Sequence, residues 1–155
     1  MLRRGFISFL AGAFVAGPRV ATAQTPSKVY RVGTLLPGAP VDEKSALGAI
    51  LLKKLEQHGY TLGKNLAFEA RGAGGQVSRL GEIVNSMKAD GVDVIVAGGF
   101  PTALACKVAN MPTVVFFGVG DPVATRLIDS LAHPGGNITG ISDNATVLAT
   151  KRLEL

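Results

Sequence analysis

Val92-Asp93-Val94-Ile95-Val96-Ala97-Gly98-Gly99-Phe100-Pro101-Thr102, residues 92–102, runs from a strand through paired glycines into a proline suited to a helix's first turn. Beyond Asp93 the strand shows almost no polar alternation, the pattern of a strand covered by helices on both faces. Glycine then frees the backbone, and Pro101 opens a helix that reads through Asn110. A buried parallel strand feeding a helix is half of a βαβ unit.

Working outward, the same alternation repeats. Val29 to Leu36 reads as a first strand ending in Pro37-Gly38-Ala39-Pro40, which cannot continue a ladder. Asp42 to Gln57 reads as an amphipathic helix with Leu47, Ile50, Leu51 and Leu55 on one face, and Gly59 stands at the C-terminal cap position. Asn65 to Glu69 is a second short strand, and Val77, Leu80, Ile83, Val84 and Met87 recur at helical spacing. Past the opening stretch, Thr113 to Phe117 is a fourth strand, Val123 to Leu131 a fourth helix and Asn137 to Ile141 a fifth strand. The reading is an α/β fold, a doubly wound parallel sheet.

Ligands of such sheets sit beyond the carboxyl ends of the strands. Three loops qualify: Pro37-Gly38-Ala39, Gly98-Gly99-Phe100-Pro101-Thr102, and Gly118-Val119-Gly120-Asp121-Pro122. Glycine admits close approach to a ligand, and the N–H groups of a helix start favour an anion such as a carboxylate. Asp121 has two readings, acceptor for a ligand ammonium or hydroxyl and cap of the helix starting near Pro122.

The first 23 of the 155 residues read as a secretory leader. Arg3 and Arg4 form the positive region, Phe6 to Gly17 the apolar stretch, and Ala21-Thr22-Ala23 the cleavage site. Arg3-Arg4-Gly5-Phe6-Ile7 also fits a twin-arginine signal. As a helix the apolar stretch would reach about 18 Å, short of a bilayer core of about 30 Å. Gln24 follows the cut where a lipoprotein would carry cysteine, so a soluble periplasmic product without a lipid anchor or membrane span is expected. Arg3, Arg4 and Arg19 leave with the leader, and the remaining 13 basic against 11 acidic residues give +2 with no basic stripe for nucleic acid. Cys106 stands alone, which excludes an intramolecular disulfide, and reads as a buried small apolar side chain.

Together Gly59-Tyr60, Gly63-Lys64-Asn65, Val92 to Ala97, Asp121-Pro122-Val123 and His133-Pro134-Gly135-Gly136-Asn137-Ile138-Thr139-Gly140 resemble the ABC-transporter substrate-binding protein family of type I periplasmic-binding fold, in its tryptophan- and tyrosine-binding-like branch. The resemblance implies a two-lobed protein that closes on a small solute, an amino acid or related compound, and delivers it to an ABC permease in the inner membrane. Carried over by position, Pro37, Gly38 and Ala39 match the first binding loop, Phe100, Pro101 and Thr102 the second, and Gly120, Asp121 and Pro122 the third. Phe100 stands where the family usually has a small or hydroxyl residue, so a hydroxyl contact there is lost and an aromatic face is gained. Family members continue for about another domain. This chain stops at Leu155, so the expected organisation is leader 1–23, N-terminal lobe 24–142 and, over 143–155, the start of a crossover to a second lobe that is missing. A truncated frame or fragment is the expectation, and one lobe should bind weakly or not at all.

No catalytic, cofactor or metal assignment survives. Gly33 to Gly38 has the glycine spacing of a P-loop but Ala39-Pro40 where Lys and Ser or Thr are needed. Gly118-Val119-Gly120 lacks the third small residue of a dinucleotide fingerprint. His58 and His133 are isolated, and neither a Cys/His cluster nor a Gly-x-Ser-x-Gly elbow is present. Two other readings use the same lobe: a ligand-sensing module of a signalling receptor, and a small exported flavodoxin-like enzyme.

Overall fold

The computed structural model describes residues 28–143. The leader assignment and all but the first residue of the crossover assignment lie outside the described residues. In chain order the elements are β1 (Tyr30–Leu36), α1 (Ala46–Gln57), β2 (Leu66–Gly72), a 3-10 turn (Val77–Arg79) leading into α2 (Leu80–Ala89), β3 (Val94–Gly98), α3 (Phe100–Val108), β4 (Thr113–Phe117) and β5 (Ile138–Gly140).

The five strands among the described residues are parallel in one sheet of order β2-β1-β3-β4-β5. The chain moves one way from β1 to β2, then returns past β1 to lay down β3, β4 and β5. This order is doubly wound, with its switch point between β1 and β3. Because side chains alternate along a strand, the sheet has two distinct faces. Leu35, Ile95, Ala97 and Val115 point to one and are buried against Leu80, Val84 and Met87 of α2 and Ala103 and Cys106 of α3. Thr34, Val96 and Phe116 point to the other, where they border α1.

Each helix ends by one device. Gly59, Gly91 and Asn110 take positive φ. Their N–H groups reach back to Glu56, Lys88 and Lys107, while those of Tyr60, Val92 and Met111 reach Leu55, Met87 and Cys106. These are Schellman caps, which satisfy the last carbonyls and turn the chain toward the next strand. At the other end of α1, the Ser45 hydroxyl oxygen accepts from the Gly48 N–H at 3.1 Å, and Asp42 Oδ1 accepts from Ser45 N–H at 2.9 Å.

Two expectations are corrected. Val123 to Leu131 is not a helix: after one turn in which Thr125 N–H bonds the Asp121 carbonyl, Arg126 adopts φ +56° and the chain loops. Val, Thr, Ile, Asp and Ser are weak helix formers, and tertiary partners take the segment over. Lys107 Nζ donates to the Arg126 carbonyl at 2.6 Å, and Leu127 is buried against the core. The apolar face of α1 is also less covered than its periodicity implies. Leu47 and Ile50 are 41% and 59% exposed, since α1 is the only described helix on its side of the sheet.

The Pro-Gly-Gly-Asn-Ile-Thr-Gly segment is scaffold. Asn137 Nδ2 donates to the Met111 carbonyl at 2.6 Å and the Cys106 carbonyl at 3.2 Å, tying β5 to the end of α3. Gly140 runs so close to the Val115 backbone that a Cβ would collide with it.

Opposite outcomes are expected for two helical glycines. A Cβ at Gly48 would collide with the Asp42 carbonyl, whereas one at Gly81 meets nothing within 4 Å. Gly81→Ala should therefore stabilise the fold by up to about 1 kcal/mol, and Gly48→Ala should destabilise it by about 1–3 kcal/mol; urea titrations of both variants check the two signs. A second expectation concerns Cys106. Burial pushes its thiol from 9.0 up to about 11, against a smaller opposing effect of a Thr113 hydrogen bond. The native state thus keeps the proton after the unfolded chain has lost it. This contribution is intact below pH 9 and disappears as pH rises to 11, a loss on the order of 2–3 kcal/mol. Denaturation curves at pH 8 and pH 11 should show a smaller decline for Cys106→Ala than for the native sequence.

Candidate functional site

The strand order sets the carboxyl ends of β1, β3 and β4 side by side, so the loops beyond them meet above one edge of the sheet. Gly99, at φ +80°, would place a Cβ 3.7 Å from the Pro37 ring, and a Cβ on Gly118 would sit 3.4 Å from Gly99 Cα. The first loop therefore abuts the second, and the second abuts the third. Backbone bonds lock the last pair: Gly99 N–H donates to the Phe117 carbonyl at 3.0 Å and Phe100 N–H to the Gly118 carbonyl at 2.9 Å. A register shift between β3 and β4 at Ala97/Gly98 makes this possible by pairing Gly98 with Phe117. Such irregularities bend a strand and re-aim the residues after it.

The first loop has a support that sequence reading did not assign. Ala73 N–H donates to the Leu36 carbonyl, Gly74 N–H to the Gly38 carbonyl at 3.0 Å and Gly75 N–H to the Pro37 carbonyl at 2.8 Å. A Cβ on Gly72 would collide with the Gly38 carbonyl and lie 2.7 Å from Pro40 N. The signal was present, because Gly72-Ala73-Gly74-Gly75 comes after a strand as the other loops do. Ending the second strand at Glu69 hid it; β2 runs three residues further, to Gly72.

The nine residues singled out from sequence are thus brought to one edge, though they differ in exposure. Gly38 and Ala39 are exposed; Pro37, Phe100, Pro101, Gly120 and Asp121 are half-buried; Thr102 and Pro122 are buried. Phe100 packs partly against the core cluster. The amide donors at the start of α3 are mostly occupied, since Gly99 and Phe100 bond the β4 end, Ala103 bonds the Gly99 carbonyl, and Pro101 has no N–H. What α3 offers an anion is then chiefly the positive end of its dipole, together with Thr102, whose buried Oγ1 lacks a hydrogen-bond partner among the described residues. Asp121 Oδ1 accepts from the Val123 and Ala124 N–H groups at 2.9 and 3.0 Å, the geometry of a cap.

Behind the third loop lies a cavity of about 110 Å³ between β4–β5 and the chain that replaces the expected helix, lined in part by Val119, Pro122, Leu127, Ile138 and Ile141. Among the described residues no three His, Cys, Asp or Glu side chains are placed to hold a metal ion. No helix among them is long and apolar enough to cross a membrane.

Comparison with known proteins agrees with this architecture. The model of the ABC transporter substrate binding protein family matches residues 42–155. A tyrosine-binding protein of Clostridioides difficile is 33% identical over 105 residues, which is 67% of this chain and 30% of that protein. Among solved structures, a conserved domain protein from Vibrio cholerae is 34% identical with a TM-score of 0.63, covering 75% of this chain and 39% of that one. A substrate binding protein with adhesive properties from Clostridium difficile, in a ligand-free open structure, is 28% identical with a TM-score of 0.64 over 74% of this chain and 39% of its own. An ABC domain from Streptococcus pneumonia in complex with L-Trp, 23% identical, shares the fold with a TM-score of 0.57, covering 73% of this chain and 38% of that one. The chain thus spans 30–39% of the length of these relatives.

Because Gly72 faces backbone rather than a movable side chain, Gly72→Ala should displace the first loop and cost about 1–3 kcal/mol. In amide spectra Gly38, Ala39, Gly74 and Gly75 should shift while Gly120 stays in place. Uniform shifts across the sheet would show that the contact is not local.

Proposed function

The chain belongs to the ABC transporter substrate-binding protein family, and we propose that it supplies the N-terminal face of a cleft for a small amino-acid-like solute. The observation that carries this reading is the convergence of three glycine-containing loops on one sheet edge at the switch point, where α/β sheets bind ligands. The tyrosine-binding relative favours an amino acid as the solute class. In this reading Pro37, Gly38 and Ala39 present backbone to the solute. Phe100 offers an aromatic surface, and the start of α3, with Thr102 beneath it, sets a positive potential for a carboxylate. Asp121, whose carboxylate already caps the next turn, fixes the shape of the third loop with Gly120 and Pro122. The Arg3-Arg4 leader would deliver the protein to the periplasm, where the loaded form would hand its solute to an inner-membrane ABC permease.

A single face provides half the contacts of a closed cleft, so residues 24–155 alone should hold solute weakly. Titration with L-tyrosine and L-tryptophan, followed by amide spectra, should give millimolar or weaker affinity, a binding free energy of about −4 kcal/mol or less negative. Shifts should concentrate at Gly38, Phe100 and Gly120. Micromolar binding would refute the one-face reading, and shifts confined to the β5 edge would refute the site.

A further inference from the structure

Gly120 sits in the third loop at φ +60°, and a Cβ built on it meets nothing within 4 Å. A side chain at this position would meet open space, and two polar contacts from the segment that leaves β5 engage the backbone of Gly120. Its N–H donates to Asp143 Oδ1 at 3.1 Å, across 23 residues. Its carbonyl accepts from the Ser142 hydroxyl at 2.6 Å, across 22 residues. Both hydrogen-bonding groups of one residue are thus taken by two consecutive side chains. Ser142 and Asp143 come directly after Ile141, whose N–H bonds the Val115 carbonyl at 2.8 Å and anchors the exit segment to β4. On its other side the third loop is bound to the second through Phe100 N–H and the Gly118 carbonyl. A continuous chain of hydrogen bonds and covalent links runs from the start of α3, through Gly118 and Gly120, to Asp143.

We infer that Ser142 and Asp143 are positioning residues that clamp the two peptide groups flanking the Gly120 Cα and couple the third candidate loop to the segment leaving the lobe. The inference rests on the solute-binding reading for its ligand arm alone; the clamp itself is testable without ligand. A contact that turns the Gly120 backbone about its φ and ψ would reorient both flanking peptide groups and so strain or release both bonds, and Ser142 and Asp143 would move with it. Coupling of this kind needs two discrete arrangements of a physical link rather than proximity, and a left-handed glycine, with open space where a side chain would stand, can supply the second arrangement.

The test uses the whole chain and amide NMR. A hydrogen bond to a carboxylate should slow solvent exchange of the Gly120 amide about tenfold. Asp143→Ala should remove that protection, Asp143→Asn should restore most of it, and the Ile95 amide, bonded to the Pro112 carbonyl in the sheet, should not change. Equal Gly120 exchange in the native sequence and Asp143→Ala would overturn the clamp. Should Asp143→Ala fail to fold, faster Gly120 exchange in Ser142→Ala than in Asp143→Asn would support it, and native rates in both would overturn it. With L-tyrosine or L-tryptophan at millimolar concentration, the Gly120 and Asp143 amides of the native chain should shift with one midpoint. Movement of Gly120 without Asp143 would overturn the coupling. If neither amino acid shifts any loop amide, the proposed solute class fails and the exchange measurement decides the clamp.

Discussion

The parallel pairing of β1 with β3, Val32 opposite Val94 through Leu35 opposite Ala97, is the constraint on which the rest of the structure depends. The chain leaves β1, builds β2 on one side, and must come back across β1 to place β3 on the other. That return puts α2 and α3 together on one face with a shared core, and α1, alone among the described helices, on the opposite face. It also opens the crevice above the carboxyl ends of β1 and β3. Close packing permits the return. A Cβ on Gly33 would press on the flexible end of the Met87 side chain and lie 3.2 Å from Val92, so the bare backbone at the middle of β1 leaves room for both side chains on this face.

Above that crevice, the loops are positioned by backbone more than by side chains. Gly72 yields space to the first loop, Gly99 and Gly118 bring the second and third into contact, and amide–carbonyl bonds fix their relative height. Rigid support of this kind lets a loop present a defined surface without a core of its own. It also explains why side chains that would announce chemistry are scarce. Phe100 leans on the core, and the Asp121 carboxylate is engaged in a cap. The backbone-built arrangement accords with the substrate-binding family to which the chain belongs.

The legible parts of the fold were those with strong local signals. The continuous apolar runs gave β1, β3 and β4 within two residues, and Gly59 marked a helix end by supplying the positive φ a Schellman cap requires. The illegible parts were decided at a distance. Val123 to Leu131 carries helical spacing, yet Lys107 from α3 and the burial of Leu127 draw it into a loop, so a weak local preference lost to tertiary contacts. Leu47 and Ile50 lie on the apolar face read for α1 yet stand half in solvent, because periodicity reports which face of a helix is apolar and not how much protein lies opposite it.

By itself the sequence determined the alternation of strands and helices, the parallel character of the sheet, the three strand-end loops and the burial of Cys106. Each comes from local spacing, propensity or glycine and proline stereochemistry. Only the tertiary structure decided the strand order, the support that Gly72 to Gly75 give the first loop, and the hold of Ser142 and Asp143 on Gly120. It also gave the Pro-Gly-Gly-Asn-Ile-Thr-Gly segment its part as scaffold. Those features join residues that are tens of positions apart, and hydrogen bonds or steric fits across such distances exist only once the chain has returned past β1.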